Sequence, residues 1–150
     1  MNKYKTVFIS DIHLGTKMSS ADKLLEFMKT FECEKMYLVG DIIDCWSMSK
    51  KMIWSQLHND VIQKLLRRAR KGTEIIYIPG NHDDIMRNYC DNEFGYIIMV
   101  KEAIHIGTSV VGDETFHFYK AKDIPYGGWD DGNHQGFITK QVGNEQHVVG

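Results

Sequence analysis

Met36-Tyr37-Leu38-Val39-Gly40-Asp41-Ile42-Ile43-Asp44 is an apolar run that breaks into a glycine and two carboxylates. The run reads as a buried strand, and the glycine lets the backbone turn sharply so that the next side chain enters a site. The same arrangement recurs on both sides. Lys5–Ser10 leads into Asp11-Ile12-His13, and Glu74–Ile78 leads into Gly80-Asn81-His82-Asp83. A strand that delivers carboxylate, imidazole or amide groups at its C-terminal end is how open α/β sheets build their sites.

Between the strands the apolar spacing becomes helical. Ser19 or Ser20 can cap a helix carrying Leu24, Leu25, Met28 and Phe31 on one face. A second helix is predicted from about Trp54 to Lys71, with Leu57, Val61, Ile62, Leu65, Leu66 and Ala69 as its buried stripe. Gly72 stops it, and Arg67, Arg68, Arg70 and Lys71 complement the negative end of the helix dipole; the run from Lys64 to Lys71 reads as a solvated helix end, with an anionic membrane surface or nucleic acid as the alternative partner. Residues 1–83 therefore read as β-α-β-α-β. Right-handed crossovers then give a parallel sheet with all three polar segments along one edge. Further on, Ile85–Asn92 reads as a short helix and Tyr96–Val100 as a strand. Val110-Val111 and Phe116–Tyr119 flank an expected turn at Gly112-Asp113-Glu114. Residues 121–150 read as a loosely ordered tail of a single domain spanning residues 1–150.

At 150 residues with 43% apolar content the chain can bury a core of two or three layers. A net charge of −2 argues against a dedicated nucleic-acid binder. Cys33, Cys45 and Cys90 are too scattered for a disulfide framework or a zinc ribbon. The N-terminus leads straight into a strand with no signal-peptide core, so a cytoplasmic location is expected. Nothing in the sequence speaks to oligomeric state.

Asp, His and Asn form a hard-to-borderline donor set, suited to Mn²⁺, Fe, Zn²⁺ or Co²⁺. Three such segments in order point to a metal centre, with two ions sharing Asp41. Asp-x-His, Gly-Asp-x-x-Asp and Gly-Asn-His-Asp in that order resemble the calcineurin-like metallophosphoesterase superfamily. Within it, Phe8-Ile9-Ser10-Asp11-Ile12-His13-Leu14-Gly15 and Gly40-Asp41-Ile42-Ile43-Asp44-Cys45-Trp46 are similar to the UDP-2,3-diacylglucosamine hydrolase family. The resemblance covers roughly residues 4–105.

It implies an α/β fold, the N-terminal part of a metallophosphoesterase β-sandwich flanked by helices. It also implies hydrolysis of a phosphoester or diphosphate with two divalent ions, Mn²⁺ first among them. Asp11, His13, Asp41 and Asn81 would be the metal ligands, His82 would stabilise or protonate the leaving oxygen, and Asp44 and Asp83, grouped with it as catalytic, would accept hydrogen bonds that fix a nearby ring or loop. The substrate would be a nucleotide-linked lipid such as UDP-2,3-diacylglucosamine, met at the inner face of the membrane, or else a soluble phosphoester. The family also uses a later histidine and a final Gly-His-x-His. This sequence has no Gly-His pair and carries Val111 where the first of these would stand. His82 occupies a place where hydrolases of lipid A synthesis typically carry Arg. The absent imidazoles also fit a non-catalytic binding module. In that reading the apolar insertion Trp46, Met48, Met52, Ile53 and Trp54 would meet a partner, where in the enzyme it would meet an acyl chain or cover the core.

Overall fold

The computed structural model describes residues 2–109, 112–120, 137–142 and 147–149, with side-chain surroundings for residues 2–105. Strands β1 (Asn2–Ile9), β2 (Phe31–Val39) and β3 (Glu74–Ile78) lie side by side and parallel. With β4 (Glu93–Phe94) and β5 (Ile97–Met99) they form a five-stranded sheet in the order β1-β2-β3-β5-β4, antiparallel only between the last two. Helix α1 (Ala21–Met28) joins β1 to β2, and α2 (Cys45–Met48) and α3 (Gln56–Arg70) join β2 to β3. The strand order advances in one direction, so right-handed crossovers place α1 and α3 on the same face.

That face is the core. Alternate residues Val7, Ile9, Met36, Leu38, Ile75 and Tyr77 point into it and meet Leu24 and Met28 of α1 and Val61, Leu65 and Ala69 of α3. The opposite face buries Tyr37 and Ile78 against Val39, Ile76, Val100 and Ala103. Phe8 stacks on Tyr37 there at 5.2 Å, and His105 meets both rings edge-on. Val100, Ala103 and His105 bring in a second, antiparallel sheet made of β6 (Glu102–Ser109), β7 (Gly112–Lys120), β8 (Phe137–Val142) and β9 (His147–Val149). The result is the expected α/β sandwich: helices, a mostly parallel sheet, then the second sheet.

Several boundaries differ from the sequence reading. Phe31 does not extend the α1 stripe but opens β2, because the helix stops at Met28 and Lys29-Thr30 turn the chain. In α3 the buried face is His58, Val61, Leu65 and Ala69, while Leu57 is 46% exposed. The helix starts two residues later than expected, at Gln56, and the stripe shifts by one position at its first turn. Gly72 does end it, with φ +114° and its N–H donating to Ala69 O. The helix expected over 85–92 is a 3₁₀ segment, Asp84–Tyr89. Gly112-Asp113-Glu114 is not a turn: these residues lie in β7, paired with Ser109, Thr108 and Gly107. The segment read as a loose tail contributes β8 and β9. Val110 and Val111, expected to flank that turn, lie outside the described residues. Among the described residues no helix is long and apolar enough to cross a membrane.

The shift in the α3 stripe is measurable. Leu65→Ala, removing a fully buried side chain, is expected to cost about 2–5 kcal/mol in urea unfolding. Leu57→Ala is expected to stay within about 0.5 kcal/mol of the parent. Equal losses at both positions would contradict this packing.

Candidate metal centre

The strands end side by side, and the loops beyond them remain paired. Asp11 N–H donates to Gly40 O at 3.2 Å, His13 N–H to Asp41 O at 2.9 Å and Leu14 N–H to Ile42 O at 2.8 Å. Asp44 N–H returns to Leu14 O at 2.8 Å. Asp11, His13 and Asp41 all have left-handed backbone, at φ +61°, +53° and +53°. Such a conformation costs a non-glycine residue about 1–2 kcal/mol, and the hydrogen bonds between the loops offset it at roughly 1 kcal/mol each. Asp11 and His13 lie beyond β1, and the left-handed turns bring His13 Nε2 to 3.5 Å from Asp11 Oδ1. Gly40 supplies the sharp turn at φ +74°. Gly80 does not take a positive φ; its N–H donates to Asp83.

Asp83 is wholly buried, and its carboxylate accepts from Tyr77 Oη, Gly80 N, Asp41 N at 3.1 Å and Ile42 N at 3.0 Å. Burial raises its pKa, against the pull of these donors. So enclosed, the Asp83 carboxylate joins the loop after β3 to the loop after β2, fixing both. Asp44 divides its two oxygens. Oδ1 caps α2 through Ser47 N at 2.9 Å, and Oδ2 accepts Nδ1 of both His13 and His82 at 2.8 Å. Burial opposes its charge, but the Ser47 N–H and the two imidazoles together hold its carboxyl below the usual range. Asp44 thereby sets the facing of both rings, with each Nε2 on the side away from it.

Two donor groups result, each with ligand atoms within 4.8 Å of one another: Asp11, His13 and Asp41, and His13, Asp44 and His82. Asn81 lies between Gly80 and His82, half-buried, with no side-chain hydrogen bond among the described residues. Asp41 is buried, and desolvation pushes its pKa up to about 6 while the His82 N–H, 2.8 Å from its Oδ1, pulls it back. The hydrogen bond that His13 donates to the Asp11 carboxylate, helped by Asp44 and Asp41, raises His13 to about 9 against its burial. A carboxylate penalised by burial beside an imidazole that holds a proton is a site that favours a cation. Carboxylate, imidazole and amide donors fit Mn²⁺, Fe, Zn²⁺ or Co²⁺. Cys45 is not among them, since burial and the nearby Asp83 and Asp44 push its thiol up to about 11.

Three contributors were not singled out from the sequence. Tyr77 Oη donates to Asp83 and also lies 3.4 Å from Ile43 N. His58 Nδ1 accepts Gly15 N–H at 3.3 Å, tying α3 to the loop after His13. Trp46, read only as part of an apolar insertion, packs its ring edge-on to His82 at 5.8 Å, and its backbone N–H donates to His82 O at 2.9 Å. Only the alternation of β3 hinted at Tyr77, and nothing local marked the other two.

The calcineurin-like phosphoesterase family model matches residues 4–142. The chain is 28% identical over 88 residues to a UDP-2,3-diacylglucosamine hydrolase of Neisseria gonorrhoeae, covering 55% of this chain and 36% of that protein. Proteins of the same name from Hamiltonella defensa (28% over 97 residues, 63% of this chain and 37% of the relative) and Chromohalobacter salexigens (30% over 81 residues, 52% and 32%) are also similar. The matched stretch spans about a third of the length of these curated relatives.

Asp83→Ala leaves four donors without their acceptor and is expected to lower stability by about 3–5 kcal/mol, read as a fall in thermal midpoint. A loss below about 1 kcal/mol would contradict the positioning role. Metal binding should also depend on pH with a definite sign. A ligating imidazole is neutral, so an ion must displace the His13 proton. Apparent Mn²⁺ affinity is expected to rise by about tenfold per pH unit between pH 7 and 9 and then level off. Calorimetric titration at several pH values checks this, and a flat profile would contradict it.

Proposed function

This chain belongs to the calcineurin-like phosphoesterase family, and on that premise we propose that it hydrolyses a phosphoester or diphosphate bond with two divalent metal ions, Mn²⁺ foremost. The observation that carries this reading is the donor group Asp11, His13 and Asp41 set beside the His82–Asp44 pair. Asp11, His13 and Asp41 would hold one ion. Asn81 would join Asp41 in holding the second. The ions would supply Lewis acidity, activating water and neutralising phosphate charge. His82, its Nδ1 fixed by Asp44, presents Nε2 and would donate a proton to the leaving oxygen. Asp44 sets the orientation of that ring, and Trp46 packs against its edge.

UDP-2,3-diacylglucosamine is the proposed substrate, on the strength of the relatives' shared name. Exposed Trp46, Met52 and Trp54 beside the centre suit contact with an acyl chain. A cytoplasmic enzyme working against the inner membrane surface fits that substrate. A soluble phosphodiester or phosphomonoester is the alternative, favoured by His82 where Arg would grip a diphosphate in two places. A binding module without turnover is the second reading, favoured by the absence of a Gly-His pair.

Hydrolysis of bis-p-nitrophenyl phosphate with added Mn²⁺ separates them. Turnover is expected in the parent and lost in Asp41→Ala, and His82→Ala is expected to lower kcat by about 10²–10⁴-fold. No turnover from folded, metal-titrated protein would leave the binding module. Faster hydrolysis of an acylated than of a deacylated UDP-sugar would support the lipid substrate.

A further inference from the structure

Away from the metal centre, at the N-terminal ends of the strands, a cavity of about 420 Å³ opens between α3 and the starts of β2 and β3. Lys64, Arg67, Arg68 and Lys71 line it, with Glu32 as its single carboxylate. The seven residues from Cys33 to Val39 separate it from the centre by roughly 20 Å of strand. We propose that this cavity binds a small phosphate-bearing anion.

The basic run was read from the sequence as a solvated helix end, and for Arg67 and Arg70 the last turn of α3 accounts for it. Arg68 and Lys64 do more than that. The Arg68 guanidinium leaves its own helix: Nη2 donates to Met28 O and to Phe31 O at 2.8 Å, and the group lies 4.7 Å over the Phe31 ring. It is thereby locked at the turn between α1 and β2, while its Nη1 is buried without a hydrogen-bond partner among the described residues. A fixed, under-satisfied guanidinium is prepared for an oxyanion, whose acceptor oxygens its planar fork of donors matches. Lys64 lies one turn before Arg68, outside the last turn of the helix. Burial and the charges of Arg68, Lys29 and Arg67 lower its pKa, which reports the mutual repulsion an anion would relieve. None of the four cations has an ion pair among the described residues. Thr73, whose hydroxyl donates to Cys33 O at 3.2 Å, closes the wall beside them. Four cations against one carboxylate call for a multiply charged ligand, which a phosphate ester or free phosphate supplies and a simple carboxylate does not.

The test is titration of inorganic phosphate into the full chain kept metal-free with EDTA, followed by backbone amide NMR at constant ionic strength. Saturable shifts at Cys33, Arg68 and Thr73 are expected, with affinity at least tenfold weaker in the double variant K64Q/R67Q. Those two substitutions leave the Arg68 anchors in place, so the thermal midpoint of the variant should match the parent. Shifts that chloride reproduces, shifts confined to Asp11, His13 and His82, or unchanged affinity in K64Q/R67Q would each overturn the proposal. Binding to phosphatidylglycerol vesicles with no response to free phosphate would assign the cations to a membrane surface and overturn it as well.

Discussion

The Asp83 carboxylate sits in the interior under three loops, and the geometry of the site follows from how its charge is accommodated. Taking a carboxylate out of water is unfavourable unless donors surround it. Here Tyr77, Gly80, Asp41 and Ile42 surround it, drawn from β3, the loop after it and the loop after β2. Two of those donors, Asp41 N and Ile42 N, are the backbone of the very turn that aims Asp41. A buried anion thus fixes a residue that would otherwise have to hold a left-handed conformation unaided. The cost of one unfavourable feature is set against another, and each gives the other its geometry.

Asp44 repeats the logic at the rim. One oxygen closes the first turn of α2, and the other gathers two imidazoles from different loops. A single side chain sets the entry of a helix and the facing of two rings, so the orientation of His13 and that of His82 are not independent. The apolar layer beneath gives these polar anchors a rigid base: Met36, Leu38, Ile75 and Tyr77 hold the strand ends in register before any loop begins.

The parallel frame was legible because its strands are short apolar runs and its helices show clear stripes. β3 was read to the residue, and the residues that gather at the centre were named from their place after strands. The parts not legible were those decided across the sequence. Whether Asp83 faces substrate or interior depends on Tyr77 and on a backbone over 40 residues away. Leu57 and His58 are neighbours on a helix, and tertiary packing against Gly15 chose the histidine for the interior. The convergence of Asp11 with His13 rests on φ values that residue type only weakly constrains. The basic end of α3 has the composition of an ordinary helix terminus, and only the reach of Arg68 to the α1–β2 turn distinguishes it.

Strand order follows chain order across β1, β2 and β3, and both connecting helices pack on one face. For a chain emerging from the ribosome this arrangement has a temporal meaning. Every donor that the described residues gather at the strand ends precedes Asp84, so these groups are synthesised before the second sheet. Among the described residues, Ala103 of the later sheet covers Tyr37 and Ile78 on the far side. The donors and the strands that carry them thus leave the ribosome ahead of the strands that close the sandwich.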